Sequence, residues 1–241
     1  MRHGTIDQYA SRSSFYSLDP RAKIVAIIFF IIIVALLTDL LPLIIAFLFA
    51  LILLLVSNIP KKHLVKRYAI ALPFVLFASL SLYFYKGELT AYAMFLRIST
   101  CVLLLILLSS TTSFFDLLKA AQHLKVPKLM ITLMMFLYRY IFVMTEEYQR
   151  MKMARSARAF RGGRHLFDKK GMRTISSTAG MVLVRAYHRG VRIYDALRSR
   201  GYSGEIRTLT KMRFRAMDYA FCANLILFSS FILWIDWMVI G

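Results

Sequence analysis

The chain has 241 residues, a formal net charge of +20 and a mean hydropathy of +0.61. It is 59% hydrophobic, above the roughly 45–50% of an ordinary soluble domain, and the excess lies in unbroken runs rather than in the one-sided stripes of soluble core helices. That excludes a conventional soluble domain and predicts an all-α integral membrane protein.

Residues 1–23 are polar and basic. The first apolar run begins at Ile24 with no small-residue cleavage site behind it, so no cleavable leader is expected. Asp19 is placed to cap the first helix and Pro20 fits its first turn. From Ile24 to Val56 only Thr38, Asp39 and Pro42 interrupt the apolar residues. One helix of that length would be about 50 Å long and would carry Asp39 in mid-membrane, so two helices joined by a turn at Thr38–Pro42 are expected.

A basic loop is predicted from Ser57 to Arg67, then a third span over Tyr68–Tyr85. A polar turn at Lys86–Glu88 precedes a fourth span, Tyr92–Thr112. Arg97 lies near the start of that span. It reads as a side chain snorkelling to the interface, with a functional role as the alternative. Ser113–Lys128 has apolar residues at helical spacing and ends at Pro127.

Leu129–Val143 is apolar and runs without a breaker into Glu146–Phe160, which predicts a long helix lying at the interface. Gly162 and Gly163 end it. A further helix is expected over Met172–Arg200, with Arg185, Arg189 and Arg192 on one face and Gly201 at its end. Tyr219–Ile240 is the last span, and Trp234 and Trp237 suit a membrane interface.

The predicted organisation is therefore residues 1–112 with four spans, a basic domain over 113–217, and a last span over 218–241. From Arg150 to Arg215 there are 18 Lys and Arg against three acids. The positive-inside rule places the N-terminus, the Lys61–Arg67 loop and this block in the cytoplasm when five helices cross, and a crossing at Leu129–Val143 would put the block outside.

Three readings of the basic block stand open: contact with anionic lipid, nucleic-acid binding, for which no recognisable motif is present, and docking to a soluble partner with an acidic groove. Two helix ends of similar chemistry, one around Arg155 and Arg158 and one around Arg198 and Arg200, suit the third. A planar guanidinium pairs bidentately with carboxylates. The competing reading is that these arginines only cap helix C-termini, where the dipole favours cations.

The two cysteines, Cys101 and Cys222, lie in apolar runs and read as small buried hydrophobes. No phosphate-binding loop of the form GxxxxGK[ST] occurs. His3, His63, His123, His165 and His188 are scattered without ligand spacing. Neither a cofactor nor a metal site is expected.

The strings Leu18–Lys23 (LDPRAK), Thr111-Thr112, Asp116–Leu118, Leu124–Pro127 (LKVP), Arg139–Ile141 and Glu146-Glu147 occur in an order and spacing that resembles the transmembrane T component of energy-coupling factor (ECF) transporters, the CbiQ family. The likeness spans nearly the whole chain, and Ile6–Ala10 is closer to the cobalt and nickel branch than to the vitamin branch. It implies about five transmembrane helices plus long coupling helices on the cytoplasmic face of a bacterial or archaeal cell membrane. It also implies two ABC-type ATPase partners, a substrate-binding S component, and in this branch a small accessory membrane subunit. The implied ATPase-docking residues are Ala157, Arg158 and Ala159 in the first motif and Ser199, Arg200 and Gly201 in the second. Arg155 is a rival centre for the first. Against this stand a vitamin-type importer subunit and a self-contained channel or secondary transporter, which predicts ionisable residues deep in the spans.

Overall fold

The computed structural model describes residues 15, 18–158, 169–202, 214 and 216–240. They form helices and no strand. The chain divides into two compact units, one of residues 1–125 with 210–241 and one of residues 126–209.

The first unit is built from α1 (Pro20–Leu36), α2 (Leu40–Val56), α3 (Lys61–Lys86), α4 (Glu88–Thr111), α5 (Phe114–His123) and α8 (Ala216–Ile240). Asp19 caps α1, its carboxylate accepting the Arg21 N–H at 3.0 Å, with Pro20 in the first turn. The predicted break between α1 and α2 falls at residues 37–39. Pro42 sits in the first turn of α2, where its missing N–H costs nothing. Gly87 closes α3 and opens α4 at φ 95°, a left-handed backbone that glycine adopts freely.

The boundary of the third helix changes. Only residues 57–60 form the loop expected over Ser57–Arg67, and Lys61–Arg67 make the first two turns of α3. Long basic side chains are good helix formers, and Arg67 is held in place by Nη1 bonds to Ser109 and Ser110 of α4, both at 2.9 Å.

The core of this unit comes from α1, α2, α4 and α8. Phe30 and Val34 are fully buried against Leu43, Ala46, Leu104, Leu107 and Ile232. Ala46 and Ala50 lie one turn apart and let the backbones approach closely, as small residues do between membrane helices. Phe49 stacks on Phe228 at 3.7 Å between centroids. Outside the core, large apolar side chains face outward. Ile70, Phe74 and Phe77 on α3 are each more than 70% exposed. Such a surface is stable in hydrocarbon and not in water.

The second unit is α6 (Lys128–Ala157) and α7 (Lys169–Ser199). The unit starts at Val126, and α5 packs on α1 and belongs to the first unit.

By length and hydropathy, α3, α4, α6 and α8 are each able to cross a bilayer. Helix α6 qualifies through its apolar stretch Leu129–Val143, and its expected placement at the interface rests on the positive-inside rule and not on composition. Helices α1 and α2 have 17 residues each, about 26 Å, at the short end of what spans a bilayer. The protein is a multi-pass membrane protein.

Candidate functional site

The candidate docking residues lie at two helix ends in the second unit. Helix α6 ends at Ala157, and Arg158 is its C-cap, its N–H donating to Arg155 O at 3.1 Å. Helix α7 ends at Ser199. There the Gly201 N–H donates to Arg198 O and the Tyr202 N–H to Leu197 O, both at 3.0 Å, with Gly201 at φ 76°. That pair of bonds around a left-handed glycine is the Schellman ending, and it makes Arg200 the C-cap of α7. Arg158 and Arg200 thus hold equivalent positions. Each follows one small, exposed residue, Ala157 or Ser199. Ala159 lies outside the described residues.

Both arginines are exposed, and neither guanidinium hydrogen-bonds to a described residue. Arg155 differs. It is half-buried, and its Nε donates back to Met151 O of its own helix at 3.4 Å.

Glu147 of α6 pairs with Arg185 of α7. Beyond this pair, Leu129–Met144 of α6 face Ala186–Leu197 of α7 and the following Tyr202 across a cavity of about 520 Å³. The helices therefore run antiparallel there, with Arg200 near the start of α6. Arg158 lies 11 residues past Glu147 and Arg200 lies 15 residues past Arg185, about 16 Å and 22 Å along the two helices. The two caps sit at opposite ends of the pair.

The first unit carries a polar node made largely of the signature residues. The Asp19 N–H donates to Asp218 Oδ1 at 2.7 Å, and Lys23 Nζ donates to Thr111 O at 3.4 Å. Ser113 caps α5, accepting the Asp116 N–H at 3.2 Å and donating to Asp116 Oδ2 at 2.6 Å. Lys23 is only 2% exposed; burial of its ammonium is the dominant cost, and the carboxylates of Asp116, Asp218 and Asp19 offset part of it. A buried charge survives when it is paired and hydrogen-bonded. Asp19 and Lys23 of LDPRAK, the Thr111 carbonyl, Asp116 and Asp218 thus form one joint at the ends of α1, α4, α5 and α8.

A second joint lies toward the other ends of α1, α4 and α8 and brings in α2. Arg97 Nη2 donates to Leu37 O, the carbonyl that ends α1. This corrects the snorkelling reading: the guanidinium turns inward to a helix end, where cations are favoured. Asp236 Oδ1 accepts the N–H of Asp39, the N-cap of α2, at 3.4 Å. Asp218 and Asp236 are 18 residues apart, which is five turns or about 27 Å on one face of α8. The spacing of these two acids around an apolar run is legible in the sequence; their partners, about 200 residues away, are not.

Among the described residues no three His, Cys, Asp or Glu side chains gather as a metal site would require.

These features define a polytopic membrane protein with an arginine-tipped helical pair. The family model described as CbiQ, cobalt transport protein, matches residues 11–212, and the chain belongs to that family of membrane transport components. It is 28% identical to the uncharacterized protein MJ1089 of Methanocaldococcus jannaschii, over 91% of this chain and 88% of that protein. It is 30% identical to the cobalt transport protein CbiQ of Rhodobacter capsulatus, over 52% of this chain and 50% of that protein.

Proposed function

We propose that the chain is the non-catalytic T subunit of an ECF-type ABC importer. On this reading two ATPase subunits each grip one arginine-capped helix end, and the second unit passes their ATP-driven motion to a substrate-binding membrane subunit. The cargo is a cobalt or nickel ion, held by that other subunit. No residue of this chain needs to do chemistry.

The observation that carries the reading is the equivalence of Arg158 and Arg200. Two arginines with exposed side chains occupy the C-cap positions of two antiparallel helices at opposite ends, each beside a small residue. A two-fold pair of acidic sockets would be matched by such a pair of plugs. Arg155, folded back on its own helix, is the weaker candidate. Family membership supports the transport role. The positive-inside rule supports a cytoplasmic N-terminus and second unit, in a bacterial or archaeal cell membrane.

The rival of a self-contained channel predicts ionisable groups lining a path through the spans. Among the described residues, Lys23 and the carboxylates of Asp19 and Asp218 instead sit at helix ends at one level, and Arg97 and the Asp236 carboxylate do so at the other.

The test is charge reversal in the assembled transporter. Arg158→Glu and Arg200→Glu should each cost roughly 2 kcal/mol or more of docking energy, about thirtyfold in affinity, read as loss of ATPase subunits on co-purification. Co-purification and metal uptake at wild-type level in both variants would end this reading.

A further inference from the structure

The row Arg185, Arg189 and Arg192 on α7 takes no part in the docking scheme. With His188 it lines a cavity of about 570 Å³ closed on the α6 side by Met144 and Glu147. Among the described residues Glu147 engages Arg185 alone, so the site keeps an excess of positive charge on Arg189 and Arg192. Met144 and Arg189 also line the neighbouring cavity of about 520 Å³. That second cavity is apolar, walled by Leu133, Phe136, Tyr140, Ile193 and Leu197. The two cavities therefore adjoin at Met144 and Arg189, giving a cleft region with a basic head beside an apolar tail. The change from one to the other falls where α6 itself passes from the apolar Leu129–Val143 to the charged stretch that starts at Glu146.

We propose that this cleft binds an anionic phospholipid, its phosphate on Arg189 and Arg192 and one acyl chain along the apolar wall. Charge complementarity selects the occupant. Arginines beside a membrane helix attract anionic headgroups, and the guanidinium fork matches phosphate geometry. An apolar peptide helix would fill the tail and leave the arginines unmatched. A free phosphate would fill the head and leave the tail empty. The inference stands apart from the ATPase-docking reading, because neither Arg158 nor Arg200 lines the cleft.

The experiment is native mass spectrometry of the detergent-solubilised full chain with dioleoyl-phosphatidylglycerol or dioleoyl-phosphatidylcholine added. Wild type should retain the glycerol lipid in preference to the zwitterionic one. The double variant R189Q/R192Q should lose that retention about 25-fold, at roughly fivefold per arginine, while background phosphatidylcholine adducts report that it is folded. R189K/R192K, which keeps the charge, should stay within about threefold of wild type. Ile193→Trp, which fills the tail, should weaken retention with the arginines intact. Equal retention of both lipids, or unchanged retention in R189Q/R192Q, would overturn the proposal. So would full displacement by millimolar inorganic phosphate with no effect of Ile193→Trp, which marks a free-anion site. Absence of lipid from the lone chain, with the cleft protected only when a membrane partner subunit is added, would assign it to protein and overturn the lipid site.

Discussion

The backbone N–H of Asp19 donates to the carboxylate of Asp218 at 2.7 Å, joining residues 199 positions apart in the chain. Asp218 is 1% exposed, and its charge also faces Lys23. Asp218→Asn keeps an acceptor for Asp19 and loses the charge, whereas Asp218→Ala loses both. We expect destabilisation by about 2 kcal/mol for Asn and about 3 kcal/mol for Ala, since each leaves buried polar groups less well matched. Thermal unfolding of the purified full chain in one detergent checks the order. Asp236→Ala, which removes a bond of 3.4 Å, should cost about 1 kcal/mol or less.

Arg97→Met should destabilise the first unit by about 2 kcal/mol, because it leaves the Leu37 carbonyl buried without its charged donor. A snorkelling arginine would tolerate the change with almost no loss. The same thermal measurement separates the two.

That contrast marks how far the sequence reaches. The apolar runs locate the helices of the first unit, and Asp39 with Pro42 locates the break between α1 and α2, because hydrophobic run length and proline chemistry are local. Lys61–Arg67 read as a loop because charge ends an apolar run, yet helices continue through charge where long side chains find water or, as Arg67 does, a serine pair. The role of Arg97 is invisible locally, since its partner lies 60 residues away. Arg158 and Arg200 are visible as helix-end residues, and their equal cap positions emerge only from the backbone bonds around them.

Gly201→Ala should weaken the end of α7. Its φ of 76° disfavours any side chain by about 1 kcal/mol although the space around it is open. Gly180 lies inside the same helix with nothing near it, so Gly180→Ala should instead stabilise α7 by about 1 kcal/mol. Amide hydrogen exchange across 190–202 should speed up in the first variant and not in the second.

The proposed topology puts the turn at Gly87 and the end of α7 on opposite sides of the membrane. A reporter inserted after Gly87 should read external and one after Gly201 cytoplasmic. Both on one side would break the assignment and require α6 to cross.

The central claim is that Arg158 and Arg200 enter two ATPase subunits. A photo-cross-linking residue at Ala157 or at Ser199 tests it most directly, because both neighbours are exposed and the arginines stay in place. In the assembled complex each position should capture an ATP-binding subunit, and a control at the exposed Leu183 should not. ATPase capture from neither position, with the complex intact, would contradict the account.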